Sequence, residues 1–322
     1  MSNFRVRNAN DNFLYKPMKI NLFQPYSFTQ QGKRDYQEDA RFPDLDAPGM
    51  KQQFFLVCDG VGGSEHGEVA SNTVCQAFAK KMSAYNLKKD FSNDDFSRVL
   101  DYAYDALDSK GKDVKGDMAT TLTFICFHGN GCLMAHIGDS RIYQIRKGQG
   151  IVYRSDDHSL VNNLVHKGVI TPEEAVDHPQ KNVITRCMEP VEEHHNRSMA
   201  TVFRTSDIQP NDWFLLCSDG VLQDFPDDKL VDWITSEKEN VQKMMELAEK
   251  SVNNDDNNTA ILLQVESVDN VPVEEDTVEE KDEEREGTKR LVDYSEMEDI
   301  ESIKKSNDKD KSLFEKIKDY FQ

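Results

Sequence analysis

The chain has 322 residues, with 59 acidic and 39 basic side chains and a formal net charge of −20. That balance argues against nucleic acid or an anionic membrane surface as the main partner. Six cysteines form no CxxC pair and no zinc-type spacing, which fits buried core thiols in a reducing cytoplasm.

Residues 1 to about 20 are polar and weakly patterned, without the apolar stretch of a signal peptide, and read as a flexible arm or an extra edge strand. A compact body is expected from residue 21 to 267. Its first strand signal is the run FFLVCDG, which stops at Asp59. Val69, Ala70, Thr73, Val74, Ala77 and Phe78 share one face of a helix, and Phe96, Val99, Leu100, Ala103 and Leu107 mark a second. The run LMAHIGDS ends at Asp139. Thr171-Pro172-Glu173-Glu174 supplies an N-cap, a proline at the first helical position and a capping-box glutamate. WFLLCSDG ends at Asp219. Val241, Met244, Met245, Ala248 and Val252 indicate a last helix, and the turn NNDDNNTA holds Asp256 just before the run AILLQV. Strands and helices come in blocks and not in strict alternation, so an antiparallel α+β architecture is favoured.

Beyond residue 267 the composition changes. Val268 to Gln322 carries about 19 acids against about 10 bases with few large apolar residues, the signature of a disordered acidic tail. Its end, KSLFEKIKDYFQ, places Leu313, Phe314, Ile317, Tyr320 and Phe321 on one helical face. That segment reads as a short helix that docks back, or as a contact for a partner or, weakly, a membrane surface.

The chemistry lies in the acids. Buried strands avoid carboxylates because an unpaired buried charge is costly. Several oxygen-only acids gathered at strand ends are relieved most simply by hard divalent cations such as Mg²⁺ or Mn²⁺. Taken singly, each acid could be a turn or cap residue; their recurrence together at strand ends is hard to explain that way. Asp59 is followed by Gly60, whose missing Cβ lets a carboxylate and the next carbonyl approach one cation together. Arg34, four residues before Glu38, has the planar fork that takes two phosphate oxygens at once.

In order, GKRDYQEDA, FFLVCDGVGG, GEVAS, MATTLTF, HIGDSRIY, DHSLVNNLV, HPQKNVITR, LLCSDGV and DDNNTA span roughly Ser27 to Val265. This series resembles the metal-dependent type 2C serine/threonine protein phosphatases in their compact bacterial form. The resemblance implies an α-β-β-α sandwich, two mostly antiparallel sheets flanked by helices, with metals at one end. It implies that Asp59 bridges two ions with the Gly60 carbonyl, and that Asp219 and Asp256 complete their shell. Asp139 would join Asp219 at a third, weaker ion, while Glu38 and Asp39 would orient waters. Arg34 would clamp the phosphate; Lys33 is a weaker candidate, and Arg141 and Arg186 read as structural ion-pair partners.

The chain departs from the family pattern in places. Val61 stands where animal relatives carry a histidine, and Ser64 where bacterial relatives commonly do, with His66 as a substitute two residues on and a third-ion water the favoured proton donor. Ala119 replaces a glycine of the GTT element, and Met188-Glu189 replaces a leucine-glycine pair beside the flap between Asp156 and Pro190. His128, His158 and His194-His195 read as surface or structural. The expected activity is hydrolysis of phosphoserine and phosphothreonine in proteins by a metal-activated water, opposing a bacterial Ser/Thr kinase, in a cytoplasmic monomer. The rival readings are a catalytically silent phosphoprotein-binding regulator, a hydrolase of small phosphate esters, and an interaction protein working through its tail.

Overall fold

Apolar runs punctuated by Gly, Asn and Asp become strands, and the 3.6-residue patterns become helices. A computed structural model describes residues 17–44 and 52–270; the expected N-terminal arm up to residue 16, the acidic tail from residue 271 and its terminal amphipathic segment lie outside the described residues. In chain order the elements are β1 Met18–Leu22, β2 Tyr26–Gln30, β3 Ala40–Phe42, β4 Phe54–Cys58, α1 Gly67–Met82, α2 Asn93–Asp113, β5 Leu122–His128, β6 Gly131–Ile137, β7 Arg141–Arg146, β8 Gly150–Arg154, α3 Leu160–His166, α4 Pro172–Val176, β9 Thr201–Thr205, β10 Trp213–Cys217, α5 Asp219–Asp224, α6 Asp227–Ile234, α7 Asn240–Ser251 and β11 Asn258–Asn270.

One sheet runs β1-β11-β10-β7-β8, with β2 also paired to β11; the other runs β3-β4-β5-β6-β9. The strand pairings are antiparallel. Alternate residues of β4 show why the run is apolar throughout. Leu56 and Cys58 enter a core with α1 and α2, while Phe55 and Val57 face the other sheet. β10 does the same in mirror image: Phe214 and Leu216 point between the sheets, and Trp213, Leu215 and Cys217 point to the layer of α5, α6 and α7. Three hydrophobic layers thus separate four structural ones, the α-β-β-α sandwich that the motifs implied.

Two local differences from the sequence pattern have simple causes. β1 starts at Met18 and pairs with β11 as far as Asn270, so strand pairing reaches past the expected limits of 21 and 267. α7 exists, but its buried face is Lys243, Met244, Leu247 and Ser251, whereas Val241, Met245 and Val252 are exposed. Lys243 lies with its ammonium 4.9 Å from the centre of the Trp213 ring, so its aliphatic stem covers apolar surface. A polarity pattern alone assigns such a lysine to solvent. Thr171 caps α4 as expected, accepting from Glu174 N while Glu174 accepts from Thr171 N.

The pairing also decides where the acids lie. Cys217, at the end of β10, faces Ala260 near the start of β11 and Arg141 at the start of β7. In the other sheet the end of β4 meets the start of β5, whose Leu122 faces Ile137 at the end of β6. Antiparallel registry therefore brings the residues just after β4, β6 and β10 and just before β11 to one end of the sandwich.

Candidate metal and phosphate site

Asp59, Asp139, Asp219 and Asp256 all sit at that end, each half-buried. Asp59 is fixed through its backbone, since its N–H donates to Thr121 Oγ1 at 3.0 Å and its carbonyl accepts from Thr120 Oγ1 at 2.9 Å. Thr121 Oγ1 in turn meets Ser140 Oγ at 2.8 Å, linking the Asp59 and Asp139 turns. Asp39 is buried below them; its Oδ2 accepts from Ser218 Oγ at 2.9 Å, and Ser218 Oγ accepts from Thr259 N at 2.9 Å. Gly60 has no room for a side chain, because a Cβ there would lie 2.6 Å from the Gly67 carbonyl carbon and 2.8 Å from Glu38 Cβ. The strand end, the start of α1 and the Glu38 backbone are thus in direct contact.

These carboxylates repel one another. Burial and then the charges of Asp39, Asp219 and Asp139 drive Asp59 well above the usual carboxylate range. Burial and Asp219 do the same to Asp139. Asp219 is pushed up to about 6, by burial and then Asp256, and Asp39 to about 7, chiefly by burial. The Asp59 carboxyl lies within hydrogen-bonding reach of both Asp39 and Asp219. Glu38 is raised by burial too, with Arg34 pulling the other way. A set of oxygen donors crowded to this degree, with Asp39 Oδ1 making no hydrogen bond among the described residues, fits hard divalent cations, which supply the missing positive charge.

Arg34 stands at the rim. Its Nη2 donates to Asp256 Oδ2 at 2.8 Å, and a Cβ on Gly62 would lie 3.3 Å from Nη1. Burial opposes its charge, but Asp256, Glu38 and Asp59 outweigh it and raise its pKa. Asn257 holds the Arg34 loop, a role that no periodic signal announces. Its Nδ2 donates to the carbonyls of Gln31 at 2.8 Å and Tyr36 at 2.9 Å, and its Oδ1 accepts from Glu38 N at 2.8 Å. The next residue after Asp256 therefore ties the Arg34 loop to the carboxylates.

Residues 43–256 match the family model described as Protein phosphatase 2C. The chain belongs to the protein phosphatase 2C family. Among curated relatives, the serine/threonine protein phosphatase PstP of Mycobacterium tuberculosis is 35% identical over 205 residues, 61% of this chain and 37% of that protein. The chain thus spans little more than a third of the length of PstP. Protein phosphatase PhpP of Streptococcus pneumoniae is 32% identical over 188 residues, 56% of this chain and 72% of that protein. Among solved structures, serine/threonine phosphatase Stp1 of Staphylococcus aureus superposes with a TM-score of 0.63 at 30% identity, covering 77% of this chain and 96% of that one. The PstP catalytic domain in complex with two manganese ions gives 0.60 at 26% identity, over 76% of this chain and 99% of that one.

The remaining residues of interest in this phosphatase 2C chain have structural roles. Lys33 pairs with Asp255 at 2.7 Å, away from the acid cluster. Arg141 grips Asp157 through two contacts of 2.7 and 2.6 Å, an ion pair as expected. Arg186 differs. It makes no ion pair among the described residues; its Nη1 lies 3.3 Å from His158 Nε2 and donates to the Met199 carbonyl at 3.4 Å. His158 is structural; its Nδ1 accepts from Gly138 N at 3.1 Å, and its ring stacks on His136 at 4.4 Å. Ser64 closes a turn onto the Val61 carbonyl at 2.7 Å, and His66 Nε2 contacts the Lys115 carbonyl at 3.0 Å. Met188 pairs with Thr120 and is fully buried in the core under α1 and α2. One further cluster, Asp105 and Asp108 with His194, has donor atoms within 4.8 Å of one another. Arg197 fills that role as its cation, bonding both acids at 2.6 Å. The six cysteines are free and buried, and among the described residues no helix is long and apolar enough to cross a membrane.

Proposed function

We propose that this chain is a metal-dependent protein serine/threonine phosphatase, hydrolysing phosphoserine and phosphothreonine in opposition to a Ser/Thr kinase of the same cytoplasm. The observation that carries the reading is the convergence of four strand-end aspartates beside an arginine whose loop is tied to one of them. Asp59, Asp219 and Asp256 with the Gly60 carbonyl would hold a pair of Mn²⁺ or Mg²⁺ ions, and Asp139 with Asp219 a third and weaker one. When bound, such ions supply Lewis acidity to the phosphoryl oxygens and to water.

The residues do the rest. Arg34 binds two phosphate oxygens through its fork and offsets the charge that spreads over them as the ester bond breaks. Its pairing with Asp256 fixes the direction of the guanidinium before substrate arrives, which lowers the entropy cost of productive binding. Glu38 and Asp39 present carboxyl oxygens to water, and Asp39 is held in place by Ser218. The backbone bonds from Thr120 and Thr121 keep Asp59 in position without consuming its carboxylate oxygens.

The test is hydrolysis of a phosphothreonyl peptide and of p-nitrophenyl phosphate, with Mn²⁺ and with chelator, by wild type and Asp219→Ala. Peptide turnover that requires Mn²⁺ and falls to background in the variant is expected. Metal-independent turnover, or a fully active Asp219→Ala protein, would overturn the assignment. Peptide binding without turnover would favour the silent regulator.

A further inference from the structure

The loop that carries Arg34 also carries an aromatic ring with no partner. Tyr36 is 76% exposed, the largest value among the exposed large hydrophobic side chains of the described residues. Its ring makes no hydrogen bond or ring contact among them, and only its backbone carbonyl is engaged. A mobile loop would make such exposure unremarkable, but this loop is fastened along its length. Gln31 Nε2 donates to the carbonyls of Arg34 at 2.7 Å and Asp35 at 3.0 Å, Asn257 Nδ2 to that of Tyr36, and Gln37 Nε2 to Thr29 Oγ1 at 2.9 Å. The backbone is therefore set before any ligand arrives, and a fixed aromatic contributes contact area at small entropic cost.

The neighbouring charges indicate what it would meet. Lys33 is paired with Asp255 and Arg34 with Asp256. Asp35 is exposed and has no ion-pair partner among the described residues. An exposed aromatic ring and an exposed carboxylate on successive residues of a fixed loop favour a side chain that is cationic at its tip, which either group attracts. A small phosphate ester that fills the Arg34 fork has nothing to place there; a peptide has.

Resting on the phosphatase reading above, we propose that Tyr36, with Asp35, is a specificity-determining contact that selects phosphothreonyl segments flanked by arginine or lysine. The full chain, its Tyr36→Ala and Tyr36→Phe variants, and Asp35→Asn are assayed with Mn²⁺ on three phosphothreonyl peptides that differ only in carrying arginine, alanine or glutamate beside the phospho-residue, and on p-nitrophenyl phosphate. Tyr36→Ala is expected to raise KM for the arginine peptide roughly three- to tenfold with kcat unchanged, as loss of one cation–aromatic contact predicts. The alanine peptide and p-nitrophenyl phosphate should be unaffected, Tyr36→Phe should behave as wild type, and Asp35→Asn should narrow the preference for arginine over glutamate. Unchanged KM on all peptides, or an equal loss on every substrate including p-nitrophenyl phosphate, would overturn the proposal. Wild type that hydrolyses none of the peptides would instead defeat the phosphatase reading, which either outcome for Tyr36 leaves standing.

Discussion

Two groups of aspartates, at opposite ends of β10, are treated in opposite ways. Asp212, at the start of β10, is fully buried and fully answered: Arg146 donates to it at 2.7 and 2.8 Å, and Gln144 Nε2 and Gln209 N each donate at 3.0 Å. At the opposite end of the same strand, Asp219 faces other carboxylates, and Arg34 at the rim only partly offsets them. One network is balanced within the chain; the other is left with an excess of negative charge. The contrast separates acids that hold the fold from acids that, on the proposed reading, would hold cations.

The largest expected effect tests the first group. Asp212→Ala leaves the buried Arg146 with Asp207 as its remaining carboxylate and strips Gln144 Nε2 and Gln209 N of their acceptor, and should cost about 3 kcal/mol in denaturant unfolding. Activity per folded molecule should stay near wild type; a stability change under about 1 kcal/mol would show that the network is not structural in this sense. The second group is tested by thermal melts in Mn²⁺ and in chelator. Mn²⁺ at a hundredfold its dissociation constant should add about 2.7 kcal/mol to the wild type. Asp219→Asn should lose most of that gain while melting no lower than wild type in chelator, since one repelling charge is gone; an equal gain in both proteins would break the comparison.

A smaller effect belongs to a third kind of buried group. His128 ends β5 with its ring buried; Asn130 N donates to its Nδ1 at 3.2 Å, Asp90 lies 3.3 Å away and Arg204 is the opposing charge. Burial, then Arg204, lowers its pKa from 6.5 to about 4 despite Asp90. As pH falls from 6.5 towards 4, the unfolded chain takes up a proton that the folded chain refuses. Stability from this group is complete above pH 6.5 and lost on the way down, by about 2 kcal/mol. Unfolding midpoints measured at pH 7.5 and 4.5 should differ less in His128→Gln than in wild type; identical differences would remove His128 from the account.

How far the sequence carries the argument depends on the kind of signal. Asp59, Asp139, Asp219 and Asp256 are legible because each ends or precedes an apolar run, and the structure brings those run ends together. The layer order is legible for the same reason, since β4 and β10 are apolar on both faces. Hydrogen-bonding side chains leave no such trace. Asn257, Ser218, Thr120 and Thr121 hold the site through bonds in turns and at strand starts, where periodicity says nothing; Asn257 and Ser218 stand next to Asp256 and Asp219 in sequence, whereas Thr120 and Thr121 lie about sixty residues from Asp59 and are marked only by the MATTLTF motif. The buried face of α7 is misread because Lys243 counts as polar while its stem lies along Trp213. Arg186 is expected to find an acid, but its neighbours are a histidine and a carbonyl.

The length of β11 has a temporal consequence. Its first residues, Asn258 to Leu262, pair with β2, and its last, Val265 to Asn270, pair with β1. The loop bearing Arg34 is pinned by Asn257, more than two hundred residues later. A growing polypeptide on the ribosome thus makes its early strands long before the edge that receives them exists, and such distant pairing is slow to form. The Arg34 loop is therefore fixed in place only after this closing strand emerges and draws β1 and β2 onto itself.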